Sequence, residues 1–141
     1  MAVKHRNTHL CELVIRDESG KLSLINIFDN IQIEQFPGGL ARMYLVVVLD
    51  ADPGETVEVS VEGPRKNSVV AQMECPVEGD PRPRKEFQQR LFQLVAEVRG
   101  AIFHTPGVYQ VVVRSGGRVL DRHPFGVVQA TRPEESVDGG T

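Results

Sequence analysis

Phe103-His104-Thr105-Pro106-Gly107-Val108-Tyr109-Gln110-Val111-Val112-Val113-Arg114-Ser115-Gly116-Gly117-Arg118-Val119-Leu120 reads as a corner, a strand, a tight turn and a second strand. Pro106-Gly107 turns the chain. Tyr109, Val111 and Val113 then alternate with Gln110 and Arg114, the period of a half-buried strand. Gly116-Gly117 supplies the positive φ angles that a two-residue hairpin turn requires. Tyr109 stands two residues past the Pro-Gly corner. It is expected to act as a structural pin, with its ring in the core and its hydroxyl bonded to nearby backbone.

Working outward from this hairpin, the same punctuation recurs along the chain. Leu10 to Ile15 and Leu22 to Phe28 are apolar runs on either side of Asp17-Glu18-Ser19-Gly20, and read as a hairpin. Ile31-Gln32-Ile33-Glu34 alternates before Phe36-Pro37-Gly38-Gly39. Met43 to Leu49 is apolar at nearly every position, which fits a strand covered on both faces. Val57, Val59 and Val61 alternate with Glu58, Ser60 and Glu62, and Ser68 to Cys75 follows a further turn. Pro76 to Lys85 is a long charged connection holding Gly79, Pro81 and Pro83.

Residues 86–103 satisfy two periods. Phe87, Leu91, Leu94, Val95, Val98 and Ile102 follow helical spacing, and Phe92, Leu94, Ala96 and Val98 follow strand spacing. The β-rich surroundings favour a strand over about residues 91–99, with room for a short helical turn at 86–90. Near the end, the apolar phase shifts by one between Leu120 and Phe125. That predicts a bulge at Pro124 or an edge position for it.

The resulting expectation is an all-β, antiparallel immunoglobulin-like β-sandwich of seven to nine strands. Residues 1–8 are expected to be a flexible arm, 9–129 a single sandwich domain, and 130–141 a disordered acidic tail. The length of 141 residues fits one domain, and nine prolines with thirteen glycines suit a loop-rich β protein. Tryptophan is absent, so six phenylalanines and two tyrosines must supply the large core anchors.

The net charge of -3 argues against general attraction to phosphate backbones, so no nucleic-acid partner is expected. No apolar run reaches the ~18 residues of a membrane-spanning helix, and no apolar stretch follows the basic N-terminus as in a signal peptide. With Cys11 and Cys75 the only cysteines, the expectation is a cytoplasmic protein with reduced thiols.

Candidate chemistry is sparse. His5, His9, His104 and His123 have no ligand spacing, and no motif assigns a catalytic, cofactor-binding or metal-binding residue. A site around His104 would require a deep pocket with distant carboxylates. Asp50, Asp52 and Glu55 form an acidic loop of the kind that binds calcium in sandwich proteins. Arg65, Lys66, Arg82, Arg84, Lys85 and Arg90 form a local basic patch, read as a solvated loop. The alternative to a plain interaction module is a ligand- or calcium-binding sandwich using Asp50–Glu55 or residues 82–90.

One pattern points to a partner. Tyr44, Val46 and Val48 face opposite to Met43, Leu45, Val47 and Leu49, and one set needs cover beyond the core. The same holds for Val108, Val112 and Val119. The function expected is therefore non-enzymatic: a protein-interaction or structural module forming homo-oligomers through apolar strand faces.

Two segments also resemble a family. They are Cys11 with Asp17 and Gly20-Lys21-Leu22-Ser23-Leu24-Ile25-Asn26-Ile27-Phe28-Asp29, and Phe103-x-x-Pro106-Gly107-x-Tyr109 with Gly116-Gly117 and Phe125-x-Val127. Together they are similar to an uncharacterised bacterial family of small immunoglobulin-like β-sandwich proteins with no assigned activity. The resemblance covers about residues 10–129. It implies a fold and carries over no functional residue. The chain departs from antibody-type domains in lacking tryptophan and in placing Val111 where the second core cysteine would stand.

Overall fold

The computed structural model describes residues 3–130. They form β1 (Lys4–Arg16), β2 (Leu22–Phe28), β3 (Asn30–Ile33), β4 (Gly38–Asp50), β5 (Thr56–Glu62), β6 (Val69–Pro76), β7 (Leu91–Phe103), β8 (Gly107–Ser115) and β9 (Arg118–Gln129). Two sheets result. Sheet A has the order β2-β1-β4-β7, and sheet B the order β3-β9-β8-β5-β6. All pairings are antiparallel except β3 with β9, which is parallel.

One core lies between the sheets. Met43, Leu45, Val47 and Leu49 of β4 meet Val57, Val59 and Val61 of β5 and Val111 and Val113 of β8 there, each fully buried. The period-two valines of the sequence thus all point inward. Where the chain leaves sheet A after β7 and enters sheet B at β8, three aromatic rings close the junction. Phe103 packs edge-on against Tyr109 at 5.1 Å between ring centres, and Phe125 lies 6.4 Å from Phe103. The Tyr109 hydroxyl donates a 2.7 Å hydrogen bond to the carbonyl oxygen of Thr105. The pin expected of Tyr109 is in place.

Four local expectations change. Residues 4–8 are part of strand β1 instead of a loose arm, because Lys4 to Thr8 pair with Val47 to Asp50 and Val3 and Thr8 are buried. Residues 86–90 hold no helical turn. A single turn closes with Gln88 N–H on Lys85 C=O, and Phe87 sits at φ 63° with its ring 92% exposed. β7 runs on to Phe103, and Gly100 at φ 64° shifts its phase so that Val98 and Ala101 both face inward. Of the residues at helical spacing, Phe87, Leu91 and Ile102 are exposed, while Leu94 and Val98 face the core.

The phase shift in β9 falls at Leu120, where the register against β8 slips between Val113–Asp121 and Arg114–Val119. Pro124 itself stays in register opposite Gln110. Gly126 N–H bonds Asp29 C=O on the β3 side, so the nitrogen of Pro124, two residues back, also points away from β8. β3 pairs only from Gly126 onward, so Pro124 occupies an edge position and deprives no partner of a donor. The tail reading for 130–141 falls outside the described residues beyond Ala130.

Two outcomes check this packing. Tyr109→Phe removes the part-buried bond to Thr105 and should lower unfolding free energy by about 1 kcal/mol in urea titrations. A Cβ at Gly39 would overlap the carbonyl oxygen of Ala101. Since that obstacle is backbone of the neighbouring strand, Gly39→Ala should cost roughly 3 kcal/mol in the same assay.

Candidate functional site

The outer face of sheet A is the principal candidate. Because the odd-numbered residues Met43 to Leu49 fill the core, the alternation of β4 turns Tyr44, Val46 and Val48 outward. Cross-strand register extends this face. Tyr44 stands opposite Cys11 and Val46 opposite Val95, while Cys11 and Leu13 stand opposite Ile27 and Ile25. Ile15, Ile25, Ile27 and Leu91 are 50%, 38%, 58% and 48% exposed. Cys11 and Val46 lie outside the core cluster yet are buried, enclosed by their own sheet neighbours. Burial pushes the Cys11 thiol up from its ordinary range, so it behaves as a small hydrophobe. Charges stand at both ends: Arg99 pairs with Glu97 at 2.5 Å and the Arg42 guanidinium lies 5.7 Å from the Tyr44 ring centre at one, and Asp50 stands opposite Lys4 at the other.

Sheet B carries a polar network on its outer side, with Val69, Val108, Val119 and Val128 exposed elsewhere on its strands. Arg114 donates to Glu62 at 2.7 Å and to Ser60 at 3.1 Å, and stands 3.6 Å from Glu58. Ser60 donates to Glu62 at 2.6 Å. The Arg114 hydrogen bond, followed by that of Ser60, holds the Glu62 carboxyl below its usual range, and Glu62 raises Arg114 in return. Val112 is fully buried among these polar neighbours. It therefore needs no partner's cover, contrary to the expectation from its sequence position. Val108 and Val119 do remain exposed.

The acidic and basic loops, separate candidates in sequence, meet in space. Asp50 accepts from Arg84 at 2.6 Å and from Arg6 at 3.4 Å. Asp52 lies 3.6 Å from Arg84 and 3.7 Å from Arg90. Arg84, and then Arg6, holds the Asp50 carboxyl below its ordinary value. Arg82 is taken up by Asp80 at 2.6 Å. Backbone bonds from Gly54 N–H to Val77 C=O and from Val77 N–H to Glu55 C=O tie the long connection to the acidic loop. Arg65 and Lys66 line a separate depression of 630 Å³ on the sheet B face. Among the described residues no group of three or more His, Cys, Asp or Glu side chains is placed to hold a metal ion. His104 is exposed beside a 430 Å³ depression whose lining includes no carboxylate.

Sequence spacing missed one constellation. The start of β1 lies against β9, so residues more than a hundred positions apart form a polar seam joining the sheets. His5 Nε2 is 2.7 Å from Thr8 Oγ1 and 3.3 Å from Asp121, and the Thr8 hydroxyl donates to Asp121 at 3.3 Å. His9 and His123 line a neighbouring 240 Å³ hollow with Asp29. No sequence signal marks this, because the pairing depends on which strand edges the sandwich closes together.

Burial lowers the His123 pKa from 6.5; His9 and His5 push the same way, while Asp121 and Asp29 oppose. The unfolded chain therefore binds more protons near that pH. The stability contributed by keeping His123 neutral is full above 6.5 and declines as pH falls through 6.5 toward the folded value. Urea midpoints should fall between pH of about 7.5 and about 5.5, and His123→Gln should reduce that fall.

Comparison with known proteins adds the family and no activity. No curated protein matches the chain. Among solved structures it is similar to the Pseudomonas fluorescens alkylpurine DNA glycosylase AlkC bound to DNA containing an abasic site analog. The TM-score is 0.44 and the identity 14%, over 89% of this chain and 30% of that one. The chain thus spans less than a third of that protein's length, and the likeness bears on neither activity nor ligand. The family model of DUF6941, a family of unknown function, matches residues 8–128. That agrees with the uncharacterised family expected from the motifs: the chain belongs to DUF6941, a family of unknown function.

Proposed function

We propose that this protein is a non-enzymatic interaction module that self-associates through the outer face of sheet A. The observation that carries the reading is the exposure of Ile15, Ile25, Ile27 and Leu91 on that face, on either side of the half-buried Leu13, Tyr44 and Val95. Patches of this kind on soluble proteins mark interaction sites. Strands of 13, 7, 13 and 13 residues build the sheet. At ~3.3 Å rise and ~4.8 Å spacing they present a face of roughly 700 Å². A standard interface buries ~800 Å² per partner, so one such face pressed on its copy is close to sufficient.

The finer fold assignment is part of the same proposal: an immunoglobulin-like sandwich in a reducing cytoplasm. The order β9-β8-β5 in one sheet and the adjacency of β4 and β7 in the other support it, as does the Tyr109 bond to Thr105 at the sheet-crossing corner. Cys11 and Cys75 are free thiols, which suits that compartment.

Analytical ultracentrifugation at micromolar concentration should show a dimer. Ile27→Asp places an unpaired carboxylate in the face and should weaken dimerisation by about a hundredfold. Its thermal midpoint, extrapolated to low concentration, should match the wild type, since Ile27 is 58% exposed. A strictly monomeric wild type would overturn the reading.

A further inference from the structure

A second surface lies where sheet A opens. β4 pairs with β7 along its whole length, from Asp50 opposite Leu91 to Gly38 opposite Phe103. Its pairing with β1 ends sooner, at Tyr44 opposite Cys11. Beyond that point β1 follows β2 as far as Arg16 opposite Leu22. Residues 38–43 of β4 and 12–16 of β1 therefore face each other across a notch without a ladder between them.

β3 closes the notch from the other sheet, also with an unpaired edge. Gly126 N–H bonds Asp29 C=O and Ala130 N–H bonds Ile33 C=O, so alternate residues of β3 aim their backbone groups at β9. Asn30 and Gln32 then aim theirs the opposite way, and among the described residues no backbone partner meets them. The cleft between them is open to solvent and measures 780 Å³, with Phe28 and Leu40 among its apolar lining and Glu12, Arg42 and Arg99 supplying its charge. Glu12 accepts from Asn26 at 2.9 Å, and Arg99 is held by Glu97. Arg42 has no carboxylate partner among the described residues.

Unpaired strand edges beside an apolar floor are the elements of strand addition, in which main-chain bonds give affinity and side-chain pockets give selectivity. A volume in the range of ligand pockets fits a short extended segment. We infer that this cleft receives an extended peptide segment of a partner protein as an added strand, with an Asp or Glu of that segment paired to Arg42. The Arg42 guanidinium, exposed and 5.7 Å from the Tyr44 ring centre, sets the sign of the charge, and the alternation of a strand sets the spacing: apolar side chains toward Phe28 and Leu40, acidic ones toward Arg42. This surface adjoins the apolar face that is proposed to self-associate and shares Arg42 and Arg99 with its charged end, and the two readings are tested separately.

The test is a titration of the full-length, ¹⁵N-labelled protein with an alternating Val-Glu peptide of about nine residues, beside its Val-Lys counterpart. The Val-Glu peptide should shift amides at residues 12–14, 30–32 and 40–42, and the Val-Lys peptide should not. Arg42→Glu should weaken binding about tenfold or more, and Arg42→Gln by less. The spectrum of each variant reports its fold directly, and Arg42→Gln decides the matter should Arg42→Glu not fold. No shifts, shifts outside the cleft, equal binding of both peptides, or wild-type affinity in a folded Arg42 variant would each overturn the inference.

Discussion

The structure depends on the packing of Phe103, Tyr109 and Phe125 at the point where the chain crosses from one sheet to the other. Phe103 ends the last strand of sheet A, Tyr109 begins the central strand of sheet B, and Phe125 belongs to the strand beside it. The hydroxyl bond from Tyr109 to Thr105 fixes the corner between them. In a protein without tryptophan, these three rings are the large anchors that hold two sheets in one relative position. With that position set, every strand has a defined inward face.

The functional surfaces follow from what is left outside. β5, β8 and β9 place polar residues outward, and those residues satisfy one another in the Arg114 network. β1, β2 and β4 place apolar residues outward, and nothing in the described chain covers the isoleucines among them. The charged loops at the sandwich end neutralise one another through Asp50, Asp52, Arg84 and Arg90, so they hold the end closed and leave little unpaired charge there.

Much of this was legible in the residues. The hairpins around Gly20 and Gly116-Gly117, the inward valines of β5 and the role of Tyr109 all came from local period and turn chemistry. That Tyr44, Val46 and Val48 face opposite to Met43, Leu45, Val47 and Leu49 was readable for the same reason, and the structure shows the second set in the core. What escaped was whatever depends on which strands become neighbours. The parallel pairing of β3 with β9 has no local signature, so neither the seam of His5, Thr8 and Asp121 nor the notch beside Arg42 was visible. The polar start of β1 resembled an arm because its partners lie over forty residues away. Val112 seemed to need a partner because alternation shows which way a side chain points, and not what its neighbours reach across to cover. The strand favoured over 91–99 is there, and it runs on to Phe103 through Gly100 at positive φ.

The central claim is that two copies meet through the outer face of sheet A. Isotope-filtered NOE spectroscopy on a mixture of labelled and unlabelled full-length protein tests it most directly. The account predicts intermolecular contacts from the methyl groups of Leu13, Ile25 and Ile27. Their absence at concentrations where a dimer is present, or contacts arising instead from Val108 and Val119 of sheet B, would contradict it.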